Sequence, residues 1–153
     1  MAQSLLASLG LYGATLAVAF IAGMFPVISI EVFLMGATAL GVDSWALVAL
    51  VGIAAVGHQI AKTVTYYAGA GAFELPRGKL RAQIEAAQAR IDRWNKRPRL
   101  VMFVSAVSGL PPLLLLGFIA RPLMKMEIKA FTAISMTGRI LRYAALVGIA
   151  WLI

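Results

Sequence analysis

Five ionisable side chains lie inside long apolar stretches of the sequence, where charges are rare: Glu31, His58, Lys62, Arg139 and Arg142. A charge at the centre of a bilayer costs roughly 2.5–3.5 kcal/mol on insertion scales, so such residues are expected to face partners or water. His58 and Lys62 are four residues apart and Arg139 and Arg142 are three apart, so each pair lies on one helix face. The spacing predicts one polar cavity lined by these residues.

The charges of these residues predict the ligand of that cavity. Glu31 would balance Arg139 or Arg142, and the remaining cationic groups, together with Arg121, would bind an anionic headgroup. Arginine suits a phosphate because its planar guanidinium makes bidentate hydrogen bonds. We therefore expect membrane lipids with anionic headgroups as partners, and neither a metal nor a cofactor.

Three of these residues also have a purely structural interpretation. Glu31 and an arginine could form an ion pair that only holds helices together. His58 could make a hydrogen bond between helices, and Lys62 could reach water through a cavity without binding anything.

The composition excludes an ordinary soluble domain. Of 153 residues, 61% are hydrophobic and 13% are charged, whereas soluble domains have about 45–50% apolar and about 25% charged residues. The expected fold class is an all-α integral membrane protein. The lack of cysteine excludes disulfides and thiol redox chemistry, and one histidine excludes a multi-histidine metal site within one chain.

Two segments are long enough to cross a bilayer as helices, which takes about 20 apolar residues. They are 44–73, interrupted only by Lys62, and 122–153, which is apolar from Ala130 onward except at two arginines. Both are predicted to be transmembrane helices.

Glycine and proline break two further apolar segments, 1–43 and 100–121, near the middle. The residues at these breaks are Gly23, Pro26, Gly109, Pro111 and Pro112. A helix stops or kinks at proline, which lacks the amide donor and clashes with the preceding turn. We predict a re-entrant helical hairpin in each segment; the alternative is a kink within a full-length helix, since membrane helices tolerate both residue types.

The two halves of the chain match weakly at an offset of 86 residues. Four pairs of positions carry the match, namely Gly23 with Gly109, Pro26 with Pro112, Trp45 with Phe131, and Gly52 with Gly138. If the connecting loop is cytoplasmic, the first hairpin begins outside and the second begins inside, so the repeats are inverted. Inverted repeats with broken helices are a sequence-level indication of a transporter.

The segment 74–99 between the halves carries eight basic and three acidic residues. By the positive-inside rule it faces the cytoplasm. An apolar stripe at helical spacing predicts an amphipathic helix on the inner leaflet, the alternative being a short soluble coiled-coil arm. The stripe comprises Leu80, Ile84, Ala87, Ile91 and Trp94.

The basic excess of the whole chain, +8, is explained by anionic lipid without another partner. The charges border apolar spans and accompany no nucleic-acid module, so nucleic acid is not expected as a partner. Arg121, Lys125 and Lys129 are most simply charges that set the topology. The expected protein is thus one multi-pass membrane domain over 1–153, and a homodimer is plausible at this small size.

The order of several motifs resembles the DedA family, also called SNARE-associated or VTT-domain membrane proteins. The motifs are Phe25-Pro26, Ser29-Ile30-Glu31, Gly41, Lys62-x-x-x-Tyr66-x-x-Gly69, Gly109-Leu110-Pro111-Pro112, Phe131 and Gly138-Arg139. The resemblance implies two opposed re-entrant hairpins and movement of lipid across the bilayer. In bacterial members it implies an inner-membrane location and proton-linked recycling of a polyprenyl-phosphate carrier.

The sequence departs from the family pattern where that pattern would bind phosphate. Glu31 matches the acid of the first-hairpin motif. The two arginines of the family's second-hairpin motif are replaced by Ser108 and Leu114 in this sequence. Lys62 stands where the family often has an acid before the Tyr-x-x-Gly element, and Ala70 stands where it has an arginine after that element. The resemblance therefore implies a divergent, compact member whose substrate could differ.

Other function classes are distinguished by motifs. No Gly-x-Ser-x-Gly elbow, His-Glu-x-x-His pair or Gly-rich phosphate loop is present, so neither an enzyme nor ATP-driven transport is expected. A proton-coupled exporter of small molecules or cations, using Glu31 and His58, is the main alternative, since histidine titrates near neutral pH. A non-transporting scaffold with Gly-rich packing faces is the third.

Overall fold

The computed structural model of the chain describes residues 2–25, 28–71, 78–79, 82, 86, 97–110 and 112–152. Regular secondary structure within these ranges is helical, with no strand, as the composition predicts. The helices are α1 (Ala2–Met24), α2 (Ile30–Ala39), α3 (Ser44–Gly69), α4 (Pro98–Ser108), α5 (Leu113–Ala120) and α6 (Ile128–Leu152).

Two of these helices are long and apolar enough to cross a membrane. They are α3, with 26 residues, and the part of α6 from Ile128 to Ala150, with 23 residues. Both fall within the segments 44–73 and 122–153 that the apolar length predicts. Their length and composition meet the requirement for crossing the hydrocarbon core.

The helices stop at both predicted breaks. Helix α1 ends at Met24 and α2 begins at Ile30, while α4 ends at Ser108 and α5 begins at Leu113. The helices on the two sides of each break contact each other. Pro26 and Pro111 lie outside the described residues, and re-entry of the two segments into a membrane stays a prediction.

Local sequence explains where the second break falls. Gly109 follows α4 in the left-handed conformation, with φ of 81°, which a glycine adopts at no steric cost. Its amide donates to Ser105 O at 2.8 Å. Pro112 then precedes the first residue of α5, where the missing amide of a proline leaves no helical hydrogen bond unmade.

The described chain forms two compact units, and the division falls inside α3 and inside α6. The first unit comprises Met1–Ala61 and Ile140–Ile153. In it, α1 packs closely on α3, since a Cβ at Gly57 would lie 2.7 Å from Leu16 O. Such close approach at small residues is typical of membrane helix pairs.

The second unit comprises Lys62–Arg139 and has an apolar core that includes Met102, Leu116, Ile119 and Phe131. Two glycines bring α3 and α5 together in this unit. A Cβ at Gly69 would collide with the Phe118 backbone, and one at Gly117 would collide with the Thr65 hydroxyl. The expected single domain over 1–153 stays a prediction.

Positions that correspond in the predicted repeat have different surroundings. Trp45 is 83% exposed in the first unit, whereas Phe131 is fully buried in the second. A Cβ at Gly52 would meet no atom within 4 Å, but one at Gly138 would lie 2.5 Å from Ala106 Cβ. The predicted amphipathic helix in 74–99 falls almost entirely outside the described residues, of which Lys79, Ala82 and Ala86 are helical.

Candidate functional site

The start of α2 positions the carboxylate of Glu31. Ser29 has an extended backbone and caps the helix, because its hydroxyl accepts a hydrogen bond from the Val32 amide at 3.3 Å. The same hydroxyl donates to Glu31 Oε2 at 2.9 Å. Glu31 also lies in the first turn, where the helix dipole favours a negative charge.

The second carboxylate oxygen of Glu31 pairs with α6. Arg142 Nη2 lies 2.9 Å from Glu31 Oε1, and both side chains are partly exposed. Of the two arginines that could balance Glu31, the structure pairs it with Arg142. Arg142 Nε is buried and has no acceptor among the described residues.

His58 occupies the same unit and pairs with a tyrosine. The Tyr143 hydroxyl and His58 Nδ1 are 2.7 Å apart, and the tyrosine is almost wholly buried. Gly23 makes room for this imidazole, since a Cβ there would lie 2.9 Å from His58 Cδ2. The glycine predicted as a helix break therefore also positions a candidate site residue.

Lys62 and Arg139 belong to the second unit and are the buried basic side chains among its described residues. Lys62 is 4% exposed and Arg139 is 3% exposed, and they lie close enough for their charges to act on each other. The hydroxyls of Thr65, Ser105 and Ser135 are buried in the same unit. Buried basic side chains attract anions, and their charged forms are costly to bury in a membrane.

Arg121 ends α5 and lines a surface cavity of the second unit, together with Lys125 and Lys129. The structure thus brings together Glu31 with Arg142, and Lys62 with Arg139. The prediction that all five buried or partly buried residues share one cavity stays a prediction.

Ser108 and Leu114, which replace the two arginines of the DedA second-hairpin pattern, have structural roles. The Ser108 hydroxyl donates to Val104 O at 2.7 Å and accepts from the Leu110 amide at 3.1 Å, which closes the end of α4. Leu114 packs against the apolar core of the second unit. Neither position contributes a charge.

One polar contact in the two units follows from a local sequence pattern, and two do not. Ser29 could have been recognised, because a serine before an apolar helix is a common N-cap. The Tyr143–His58 and Tyr66–Met126 hydrogen bonds join positions 85 and 60 residues apart, and no local pattern indicates them.

No family model, curated protein or solved structure matches the chain. Among the described residues there is no group of three or more His, Cys, Asp or Glu side chains that could hold a metal ion.

Proposed function

We propose that this protein moves an anionic, phosphate-bearing lipid across the bilayer, as its resemblance to the DedA family implies. The proposal includes two inverted repeats with re-entrant hairpins, a cytoplasmic segment 74–99 and a multi-pass location in a bacterial inner membrane, with a polyprenyl phosphate as a candidate substrate. The observation that carries it is the burial of Lys62 and Arg139 in helices long enough to cross a membrane.

Buried cations favour an anionic substrate. Transfer of an anion through an apolar layer is opposed by desolvation, which positive side chains on its path offset. In the first unit, an oxygen of the ligand would also complete the hydrogen bonding of Arg142 Nε.

An apolar cavity in the first unit favours a lipid over a small ion. It has a volume of about 540 Å³ and is lined almost entirely by apolar groups, with Leu47, Val51 and Gly52 on α3 and Ile140 and Val147 on α6. Helices that bind only a small cation need no such cavity, whereas an acyl chain does. The same unit contains the Glu31–Arg142 pair, so it offers polar and apolar surfaces to an amphiphile.

The test is reconstitution into liposomes with fluorescent phosphatidylglycerol, whose appearance in the outer leaflet is read by chemical quenching. Lys62→Met and Arg139→Met should each slow transfer about tenfold, since a hydrogen bond to a charged group contributes about 1.5–3 kcal/mol. Methionine is similar in length and apolar, so it removes the charge while filling much of the same space, and the amount of folded protein is measured beside the transfer rate. Arg99→Met, at an exposed position of α4, is the matched control and should leave the rate unchanged.

Transfer that is equally fast in all variants would contradict the proposal. Proton-driven flux of a cation or a drug, without lipid transfer, would support the exporter instead. Absence of any flux would support the scaffold.

The hydrogen bond between His58 and Tyr143 favours the proton-coupled exporter as the second candidate, because a tyrosine hydroxyl and an imidazole can pass a proton between them. Tyr143→Phe keeps the ring and removes the hydroxyl. If this pair couples transport to protons, the variant should lose the response to a pH gradient while keeping flux at equal pH. A response like that of the unmodified protein would contradict the coupling role.

A further inference from the structure

The second unit has a surface cavity that combines basic and aromatic side chains. Its volume is about 500 Å³, which lies within the range of small-ligand sites. Tyr67 at the end of α3 lines one part of it, and Arg121, Lys125, Glu127 and Lys129 contribute the charged groups. The cavity lies beside the last residues of α3, a helix long enough to cross a membrane.

The loop that forms this cavity is held to the core. Met124 and Met126 are buried, and the Met126 amide donates to Ala120 O at 2.9 Å. The buried Tyr66 hydroxyl donates to Met126 O at 2.7 Å. The segment therefore holds its charged side chains in place without a ligand, which lowers the ordering cost of binding.

Lys125 is presented outward by this anchoring. The side chains on both sides of it are buried, so Lys125 itself points away from the core. Its φ is 48°, a left-handed conformation that a lysine rarely adopts. Such a conformation persists only where the surroundings determine it, and it often occurs at ligand sites.

We propose that this cavity binds the phosphate group of an anionic headgroup at the membrane surface. Three cations against one acid give it a net positive charge, and Arg121 offers paired donors that match phosphate oxygens. Tyr67 is 39% exposed and adds a hydroxyl donor with an apolar ring, which suits the boundary between acyl chains and water. This inference rests on the proposed function in one respect only, namely that the bound phosphate belongs to a lipid headgroup.

Replacing Glu127 tests whether the cavity binds a negatively charged ligand. Its carboxylate lines the cavity and repels a phosphate, so Glu127→Gln should strengthen binding severalfold. If these basic residues only set the membrane topology and bind no ligand, Glu127→Gln should not increase phosphate binding.

The experiment measures retention of phosphatidic acid by the full chain in nanodiscs of phosphatidylcholine, read by native mass spectrometry. The site variant combines Arg121→Gln, Lys125→Asn and Lys129→Gln; asparagine tolerates the left-handed backbone at residue 125. The control variant combines Lys79→Gln, Arg97→Gln and Arg99→Gln. These three positions are exposed, and the variant removes the same number of positive charges away from the cavity. Site substitution should weaken retention about tenfold and control substitution less than twofold.

Equal weakening in the two triple variants, or an unchanged or weaker affinity in Glu127→Gln, would overturn the inference. Inorganic phosphate and glycerol phosphate are added as competitors: displacement by them at low concentration identifies free phosphate as the ligand, and resistance to them identifies the lipid. Because retention is read without transport, selective binding with no lipid transfer would overturn only the proposed function. Lipid transfer with unselective binding would overturn only this inference.

Discussion

Glu31 holds Arg142 at 2.9 Å with one carboxylate oxygen and receives the Ser29 hydroxyl, also at 2.9 Å, with the other. The acid that follows the first helix break is therefore fixed from both sides, by its own helix cap and by α6. The pair links the end of the break to a helix long enough to cross a membrane.

The first prediction is that these two residues depend on each other. Glu31→Gln and Arg142→Gln should each lower the free energy of unfolding by about 1.5–3 kcal/mol, since each leaves a partly buried charge without its counter-ion. The double variant should lose less than the sum, with a coupling of about 0.5–3 kcal/mol. Denaturant titration in detergent micelles measures all three, and strictly additive losses would contradict the ion pair.

The same Glu31→Gln variant separates a structural role from a role in transport. If Glu31 takes part in transport, lipid transfer should fall at normal protein level. Undiminished transfer at that level would leave Glu31 with the structural role alone.

Much of the helical organisation could be predicted from the sequence, because length and Gly/Pro positions are local properties. Helices α3 and α6 follow from apolar runs of sufficient length, and the interruptions follow from residues that cannot continue a helix. The match between the two halves of the sequence did not predict which residues are buried. Trp45 and Phe131 match in the repeat but differ completely in exposure, because burial depends on neighbours that the offset does not specify.

Side-chain partners were predictable only in part. Charge balance required an arginine for Glu31, but the sequence could not choose between Arg139 and Arg142, since helix rotation is set by packing. The Tyr143 partner of His58 could not be predicted, because that contact depends on how α6 lies beside α3 within the first unit.

The second prediction concerns glycines that bring helices into contact. Gly69→Ala and Gly117→Ala should each destabilise the protein by about 1–3 kcal/mol or more, because the added methyl collides with Phe118 or Thr65. Thr65→Ala should rescue Gly117→Ala, where the obstacle is a side chain, but not Gly69→Ala, where it is backbone. Gly36→Ala is the control, and it should stabilise the protein by about 0.5–1 kcal/mol, since its Cβ meets nothing within 4 Å. Equal effects at the three glycines, read from thermal unfolding midpoints, would contradict the packing.

The third prediction tests the apolar cavity of the first unit. Gly52 lines it, and a Cβ there meets no atom within 4 Å, so Gly52→Leu fills the cavity without a clash at the Cβ position. Lipid transfer should slow severalfold at unchanged stability. Gly36→Leu, at an equally open position outside the cavity, should transfer lipid at the normal rate. Identical rates in the two variants would show that acyl chains do not use this cavity.

The central claim is that the two helix breaks approach the bilayer from opposite faces, and cysteine accessibility tests it most directly. The chain has no cysteine, and the tips offer exposed positions, Phe25 at 61% and Leu110 at 72%. Phe25→Cys and Leu110→Cys are each labelled with a membrane-impermeant maleimide in sealed vesicles of known orientation. The account predicts labelling of Phe25→Cys from the outer side only and of Leu110→Cys from the cytoplasmic side only. Labelling of both from the same side, or of neither from any side, would contradict it.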